Sequence, residues 1–400
     1  MATTHTVTLT LANGPTPIDT WDRAIVSLSM LRAGQPWTVS CWRTTTDRTT
    51  WEVLARRVRL MDRATLSIDG HPQLVGRIET WERHAEGHGE CLAVLSGRDL
   101  AGAAQSWDVN PTIRIRNAAL EDALRDIFGG MDLDVRITPA AAAREVQSAR
   151  RPGARGTGTR PRRSVVDIAH PRVGEKAWQT AEHIVRRLGF MIWIAPRTDG
   201  SVGIVVDAPD YAQAPSYALS RTLDARGVGG GNILGGSEVF STQEVPTAVA
   251  VYTGSVRGSS ESARSRASIV NEPLFDPAIN RGFVLEDGTP QPVHMRSDRA
   301  RTLEAATREA HRTIADAMAG FRRYKCSVQG FGQRVQGEDR LYAVNTIATV
   351  RDDLMIDAEG RGMDERMLIT DVEFTHSRKE GQTASLTLVP LNSIVVTPEV

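Results

Sequence analysis

Short segments in which apolar and polar residues alternate dominate both ends of this chain. Six β-type runs occupy the first 95 residues, separated by turn signals such as Asp69-Gly70: Thr6–Leu11, Ala24–Met30, Trp37–Arg43, Ala64–Ile68, Leu74–Trp81 and Cys91–Leu95. Asp-Gly favours a type I′ turn because both central residues of that turn need a positive φ. Three longer runs near the other end alternate or are continuously apolar: Ala343–Val350, Arg366–Thr375 and Thr383–Val389. Each end therefore predicts an antiparallel β module, and six short strands with tight connections favour a small barrel.

The middle of the chain has a helical pattern instead. Three segments carry an apolar stripe at helical spacing: Asn117–Phe128, Glu175–Leu188 and Arg299–Ala319. Gly129-Gly130 and Gly189 stop the first two. A buried strand, Phe190–Ala195, then turns at Asp199-Gly200 into Val202–Val206. This order predicts an α/β unit between the two β modules.

Bulk composition restricts the class of protein. Four hundred residues predict two to four domains, and 40% hydrophobic with 24% charged residues is typical of a folded chain. Forty-eight basic residues balance 48 acidic ones, so no overall field attracts nucleic acid or an anionic membrane. Three widely spaced cysteines indicate neither a disulfide framework nor a zinc site. With no signal-peptide pattern and no run of 18 apolar residues, we expect synthesis in the cytoplasm and no membrane partner.

Local charge is concentrated in residues 140–172, which hold eight arginines against two acids, Glu145 and Asp167. This composition, without apolar periodicity, predicts a long loop. The segment has no aromatic residue to stack on a base, so we favour docking to an acidic protein surface over nucleic acid. The candidate interface residues are Arg150, Arg151, Arg155, Arg160, Arg162 and Arg163.

Other residue clusters give weaker signals for chemistry. The glycines from Gly227 to Gly236 lack both nucleotide-binding fingerprints, and we interpret them as a flexible connection. His84, Glu86, His88 and Glu90 share the alternation of a metal-binding strand, but the glycines between them favour a solvated hairpin tip.

The acidic pair Asp352 and Asp353 is expected in a solvated loop, and no Gly-x-Ser-x-Gly elbow occurs. We therefore predict no enzyme, no catalytic residue, no metal and no cofactor.

The order of several segments resembles one family. "LYAVN", "MLITDVEFTHS" and "GQTASLTLVPLNSI" near the end are similar to the C-terminal barrel of baseplate hub proteins of contractile phage tails, the Mu-like tail protein or late control protein D-like hub family. "PIDTWDRAIVSLSM", "WTVSCW" and the "GRDL" connection resemble the opening strands of that family, and "GEKAWQTAEHIVRRLGF" resembles its middle domain. The arginine-rich segment, residues 140–172, is longer than the loop expected at this place in the family.

The resemblance implies an α+β, β-rich fold with two small antiparallel, tube-like β-barrels plus α/β domains. The expected boundaries are 1–97 for the first barrel, 98–209 for an α/β domain with the loop 140–172, 210–258 plus 325–400 for the second barrel, and 259–324 for an inserted helical segment.

The implied function is a structural hub in the virion tail baseplate, assembled in the host cytoplasm. Its implied partners are two further copies of itself in a pseudo-sixfold trimeric ring, the hexameric tail tube, the trimeric central spike, and other baseplate or tape-measure proteins. Two alternatives stay open from the residues: a baseplate-associated cell-wall hydrolase, and a DNA-binding tail or head completion protein that uses the arginine-rich loop.

Overall fold

The structure is a computed structural model of the chain. It describes residues 5–12, 14–44, 52, 56–85, 90–129, 131, 133, 135–137, 166–169, 171, 173–197, 200–223, 229–241, 245–246, 248–253, 266–270, 292–297, 303–318, 320–335, 337–357 and 359–394.

Strands outnumber helices six to one in these ranges, which confirms the β-rich α+β class. In chain order the strands are β1 Val7–Leu11, β2 Gly14–Ile18, β3 Arg23–Ser29, β4 Pro36–Thr44, β5 Arg63–Ile68, β6 His71–Ala85, β7 Glu90–Asp99, β8 Ile115–Ala118, β9 Val135–Ile137, β10 Val166–Ala169, β11 Met191–Pro196, β12 Val202–Asp207, β13 Tyr217–Leu223, β14 Gly229–Gly231, β15 Ile233–Phe240, β16 Ala248–Thr253, β17 Arg266–Val270, β18 Pro292–Ser297, β19 Arg322–Gln329, β20 Gly332–Val335, β21 Glu338–Leu341, β22 Thr346–Ile356, β23 Gly362–Ser377 and β24 Gly381–Pro390. The helices are α1 Leu100–Ser106, α2 Leu120–Ile127, α3 Ala177–Arg187 and α4 Leu303–Met318.

One sheet of 14 strands contains both ends of the chain. Strands β1 to β7 pair in the order β2-β1-β5-β6-β7-β4-β3, and β3 then pairs with β23. Val26 of β3 lies opposite Phe374 of β23, and Leu28 lies opposite Val372. The first half of β23 pairs with β22 instead, while β24 pairs with both halves of β23 on its other edge. The 16-residue strand β23 therefore ties the N-terminal strands to the C-terminal ones.

The C-terminal part of this sheet forms a closed circuit of strands. The pairing path runs β15-β19-β24-β23-β22-β13-β14, and a single residue, Asn232, separates β14 from β15 in sequence. The two ends of the path, β14 and β15, are therefore adjacent in the chain, and the circuit closes at Asn232. Buried Tyr324, Val328, Ile347 and Leu386 belong to the hydrophobic core that this circuit shares with the N-terminal strands.

An α/β unit packs beside the large sheet. Strands β11 and β12 form an antiparallel hairpin, and β9 pairs with β12 in parallel. The helices α1, α2 and α3 cover it with a second core, in which Phe128 lies 6.0 Å from Trp178 between ring centroids. Because β11 also contacts β3 and β6, this unit is held against the N-terminal half of the large sheet.

A third small unit surrounds β16. This strand pairs with β17 antiparallel and with β18 parallel, and Ala306 and Ala310 of α4 pack on its Val249 and Val251. Strand β16, which covers the expected strand Val249–Tyr252, thus lies in a sheet of its own, separate from the 14-stranded sheet. The division of the chain into domains stays a prediction.

Candidate assembly interface

The six arginines predicted as interface residues lie outside the described residues: Arg150, Arg151, Arg155, Arg160, Arg162 and Arg163. Their role stays a prediction. The described part of the chain nevertheless defines surfaces and buried polar groups from which an assembly role can be argued.

Asn232 closes the circuit of strands. Its backbone N–H donates to the carbonyl of Ser220, and its side-chain oxygen accepts from the backbone N–H of Ser220 at 2.8 Å. Its carbonyl accepts from the backbone N–H of Gln329 on β19. One residue therefore satisfies backbone groups on both neighbouring strands, β13 and β19, which would otherwise be left without partners at the junction.

A buried ion pair crosses the interior of the same circuit. Arg221 of β13 donates from Nε and a terminal nitrogen to the two oxygens of Asp352 at 2.8 and 2.6 Å, and the Tyr324 hydroxyl donates to the same carboxylate at 2.6 Å. Asp352 is fully buried and lies within β22, so the expectation of a solvated loop was wrong. Burial opposes ionisation of Asp352, but the hydrogen bonds from Arg221 and Tyr324 outweigh it and hold its pKa below the ordinary value.

Glycines allow the strands to approach this ion pair. A Cβ on Gly236 would lie 2.6 Å from the Tyr324 hydroxyl and 3.2 Å from Asp352, and a Cβ on Gly231 would lie 2.1 Å from the Ser220 carbonyl. The interpretation of these glycines as a flexible connection was therefore wrong for Gly229 to Gly236, because they belong to β14 and β15. Gly231 is needed for close contact with the backbone of Ser220, and Gly236 for the approach of the Tyr324 side chain. Residues 224–228 lie outside the described residues.

A three-stranded extension leaves the N-terminal sheet with an open edge at β6. Strands β4, β7 and β6 stay paired as far as Thr44, Glu90 and Ala85. Within the described part of the chain, residues 79–85 of β6 pair with no strand other than β7. On the β4 side, the Trp42 N–H donates to the Asp22 carboxylate at 2.6 Å. Backbone groups on the β6 edge are available to a strand of another chain.

One face of this extension is apolar with a basic rim. Trp42 is 43% exposed, and Leu92 and Val94 flank it over a groove of about 1050 Å³. Arg23 and Lys379 lie at its border. An exposed aromatic beside aliphatic side chains is typical of the anchoring part of a protein interface.

The opposite edge of the N-terminal sheet is blunted. Strand β2 is the last strand on that side, and two of its five residues are Pro15 and Pro17, which have no N–H to donate. Strand addition from a neighbouring chain is therefore favoured at the β6 edge over the β2 edge.

A second connection fixes the α/β unit to the large sheet. Asp99, in the "GRDL" segment, accepts from the backbone N–H of Gly102 and caps α1. Burial raises its pKa to about 6, although backbone N–H groups at Gln35 and Gly102 lower it in part. Arg98 beside it donates to both oxygens of Glu79 on β6 at 3.0 and 2.9 Å. Asp followed by a run of small apolar residues is the sequence signal that predicts this cap.

The metal-like alternation at the β6–β7 tip is only partly described. His84 lies 3.1 Å from Glu82, and Glu90 lies in β7, while Glu86 and His88 are outside the described residues. Among the residues that the structure covers, no group of three metal-ligating side chains comes together. None of the helices in these described residues is long and apolar enough to cross a membrane.

Comparison with solved structures identifies the class of fold. A tail protein from Neisseria meningitidis matches over 99% of both chains with a TM-score of 0.72 and 19% identity. A 43 kDa tail protein of prophage MuSo2 from Shewanella oneidensis matches over 98% of this chain and 100% of its own, with a TM-score of 0.69 and 15% identity. A third match is the E. coli c3393 protein, described as a component of the type VI secretion system with structural similarity to T4 phage tail proteins gp27 and gp5. Its TM-score is 0.50 and its identity 9%, over 98% of this chain and 78% of that one.

The chain therefore has the fold of phage tail proteins, as the resemblance in its sequence implied. Neither protein-family models nor curated protein sequences give a match. At these identities the likeness defines the fold alone.

Proposed function

We propose that the protein is a structural, non-enzymatic component of a phage-type tail. The observation that carries this proposal is the likeness to two tail proteins over almost the full length of all three chains. A fold hosts many functions, so the described residues must also fit a structural role. They do, because the paired carboxylates that a hydrolase would use have structural partners: Asp352 pairs with Arg221, and Asp353 accepts from the backbone N–H of Leu223.

Within the tail, the role we infer is that of the baseplate hub. Each copy would supply two tube-like units, one from β1 to β7 and one from the closed C-terminal circuit, joined by the β3–β23 pairing. Three copies in a ring then present six such units, which gives the pseudo-sixfold symmetry needed to join a hexameric tube to a trimeric spike. The pairing of Val26 with Phe374 supports this idea because it fixes the two units in one sheet.

The contacts between copies are proposed at the extension of β4, β6 and β7. Its open β6 edge offers backbone hydrogen bonds, and the Trp42 side chain offers an apolar anchor. The ring would place the protein in the virion tail baseplate after assembly in the host cytoplasm, with the tube, the spike and other baseplate or tape-measure proteins as neighbours.

The proposal is tested by measuring solution mass with light scattering. The expected result is a mass near three times 43.7 kDa, either alone or in a 3:3 complex with the spike protein of the same particle. Trp42→Ser should weaken the trimer, whereas Trp107→Ser provides a matched control, because Trp107 is similarly exposed at 46% but lies at the end of α1. A monomer that ignores the spike would overturn the hub proposal.

Two further assays separate the alternatives. DNA affinity that falls steeply with salt and is lost on deletion of residues 140–172 would favour a nucleic-acid role. Release of cell-wall fragments that is lost on substitution of one carboxylate would favour a hydrolase.

A further inference from the structure

The C-terminal circuit of strands opens into a cavity of about 640 Å³ at one end. Strands β15, β19, β22 and β23 supply its lining. In the β15–β19 ladder, Arg322 lies directly opposite Phe240, and Tyr324 lies directly opposite Glu238. Because opposite residues, and residues two apart on one strand, share a face, these four side chains point to the same side of the sheet. Since Tyr324 is fully buried, Arg322 and Phe240 continue the interior of the circuit towards its mouth.

The mouth exposes large apolar side chains. Ile356 is 63% exposed and Phe240 is 60% exposed, although both lie in strands next to a well-packed core. The Phe240 ring lies 6.0 Å from Phe321 between centroids, and the Arg322 guanidinium lies 5.6 Å from the centre of the Phe240 ring. Clustered apolar exposure at the mouth of a strand circuit is the usual place for a bound segment.

The same mouth has an excess of acidic groups. Its lining contains four carboxylates, at Glu238, Asp357, Asp364 and Glu365, against two guanidiniums. Arg322 donates to both Glu238 and Glu365, at 2.6 and 2.7 Å, so that cluster keeps one negative charge. Asp364 is exposed and forms no ion pair within the described residues, and it lies opposite Arg351 in the β22–β23 ladder. The lining of the mouth, with four carboxylates and two guanidiniums, therefore carries a net negative charge.

We propose that this mouth binds the arginine-rich segment, residues 144–163, of a neighbouring copy of the chain. Charge complementarity selects this occupant: the segment contains seven arginines and one acid, and the chain as a whole is neutral. Guanidiniums pair with the free carboxylates and stack on the Phe240 ring, while the apolar parts of the segment cover Ile356. The proposal adds a second contact between copies, and it rests on the proposed assembly of the chain with itself.

A labelled synthetic peptide of residues 144–163 tests the mouth directly. The binding partner is the full chain with Arg150, Arg151, Arg155, Arg160, Arg162 and Arg163 changed to Ser, so that its own segment does not compete. We expect fluorescence anisotropy to show binding that weakens with added salt. Asp364→Lys and Ile356→Ser should each weaken it about fivefold or more.

Glu380→Lys is the matched control. Glu380 is also exposed and lies in the turn at the far end of β23, so the same charge change there should leave binding unaltered. Equal binding to all variants, or no binding to any, would overturn the assignment of the mouth. Circular dichroism of each variant checks that the fold is retained.

Disulfide cross-linking tests whether the contact joins two copies. Copies carrying Ile356→Cys are mixed with tagged copies carrying Arg155→Cys, all with Cys91→Ser, since Cys41 and Cys326 are buried. Cross-links between the two species, absent with Glu380→Cys in place of Ile356→Cys, are the expected result. Cross-linking only inside a doubly substituted chain would overturn the contact between copies. Peptide binding does not require a trimer, so its failure and a failed light-scattering test remain distinguishable.

Discussion

Arg221 and Asp352 form a two-bond ion pair inside the closed circuit of strands, with nitrogen–oxygen distances of 2.8 and 2.6 Å. The two residues are 131 positions apart and lie on the parallel pair β13 and β22. Their carboxylate is fully buried, and its remaining acceptor capacity is used by Tyr324 and by the backbone N–H of Leu354. The pair therefore fixes one register of the strands that close the circuit.

Removing the carboxylate should destabilise the protein strongly. Asp352→Ala leaves the Arg221 guanidinium and the Tyr324 hydroxyl without their partner, and we expect a loss of about 3–5 kcal/mol in the free energy of unfolding. The neighbouring substitution Asp353→Ala removes a hydrogen bond from the Leu223 N–H and an exposed ion pair with Arg351, and it should cost about 1 kcal/mol. Denaturant unfolding of both variants measures this difference. Equal losses in the free energy of unfolding would contradict a larger stabilising contribution from the buried ion pair.

The ion pair also predicts an effect at a glycine. Gly236→Ala places a methyl group 2.6 Å from the Tyr324 hydroxyl, and we expect about 1–3 kcal/mol of destabilisation from the forced shift of that ring. Gly235→Ala is the matched control, because no atom lies within 4 Å of the added Cβ. Thermal unfolding followed by circular dichroism compares the two variants. A Gly236→Ala variant as stable as the control would contradict the close approach of the Tyr324 hydroxyl to Gly236.

Local patterns were sufficient to predict half of the strands and the three longer helices. Alternation in Arg366–Thr375 placed part of β23 correctly, and the turn at Asp69-Gly70 has the expected positive φ at both residues. These features depend on neighbouring residues only, which is why sequence reasoning finds them.

Pairing between distant segments was not predictable in the same way. The sequence of β3 does not specify that it lies beside β23, and Asp352 looks like a solvated residue until Arg221 is brought to it from another strand. Helix α1 was also missed, because its seven residues, LAGAAQS, carry little periodicity. The arginine-rich segment, chosen for its charge alone, lies outside the described residues.

The raised pKa of Asp99 predicts a pH dependence of stability. This carboxyl is buried and its pKa is about 6, above the ordinary 3.8, so the folded protein holds its proton more strongly than the unfolded chain. Its contribution is fully present below pH 3.8 and is lost as the pH rises through about 6. Asp99→Asn keeps an oxygen to cap α1 and removes the ionisation. Between pH 4 and pH 7, the free energy of unfolding of the variant should therefore rise relative to that of the wild type by up to about 3 kcal/mol. Urea unfolding across this range measures it, and a constant difference would contradict the prediction.

The joint between the two halves of the large sheet should depend on Phe374. This side chain is 1% exposed, lies opposite Val26 of β3, and contacts the Phe331 ring at 5.3 Å between centroids. Phe374→Ala should cost about 3–5 kcal/mol through lost burial and the cavity that remains. Phe240→Ala removes the same ring from a 60% exposed position and should change stability by less than about 1 kcal/mol. Because β23 pairs with β3, β22 and β24, the Phe374 variant should still unfold in a single transition at lower denaturant, whether followed by tryptophan fluorescence or by circular dichroism. Two separate transitions would show that the halves fold independently and that the β3–β23 pairing does not couple them.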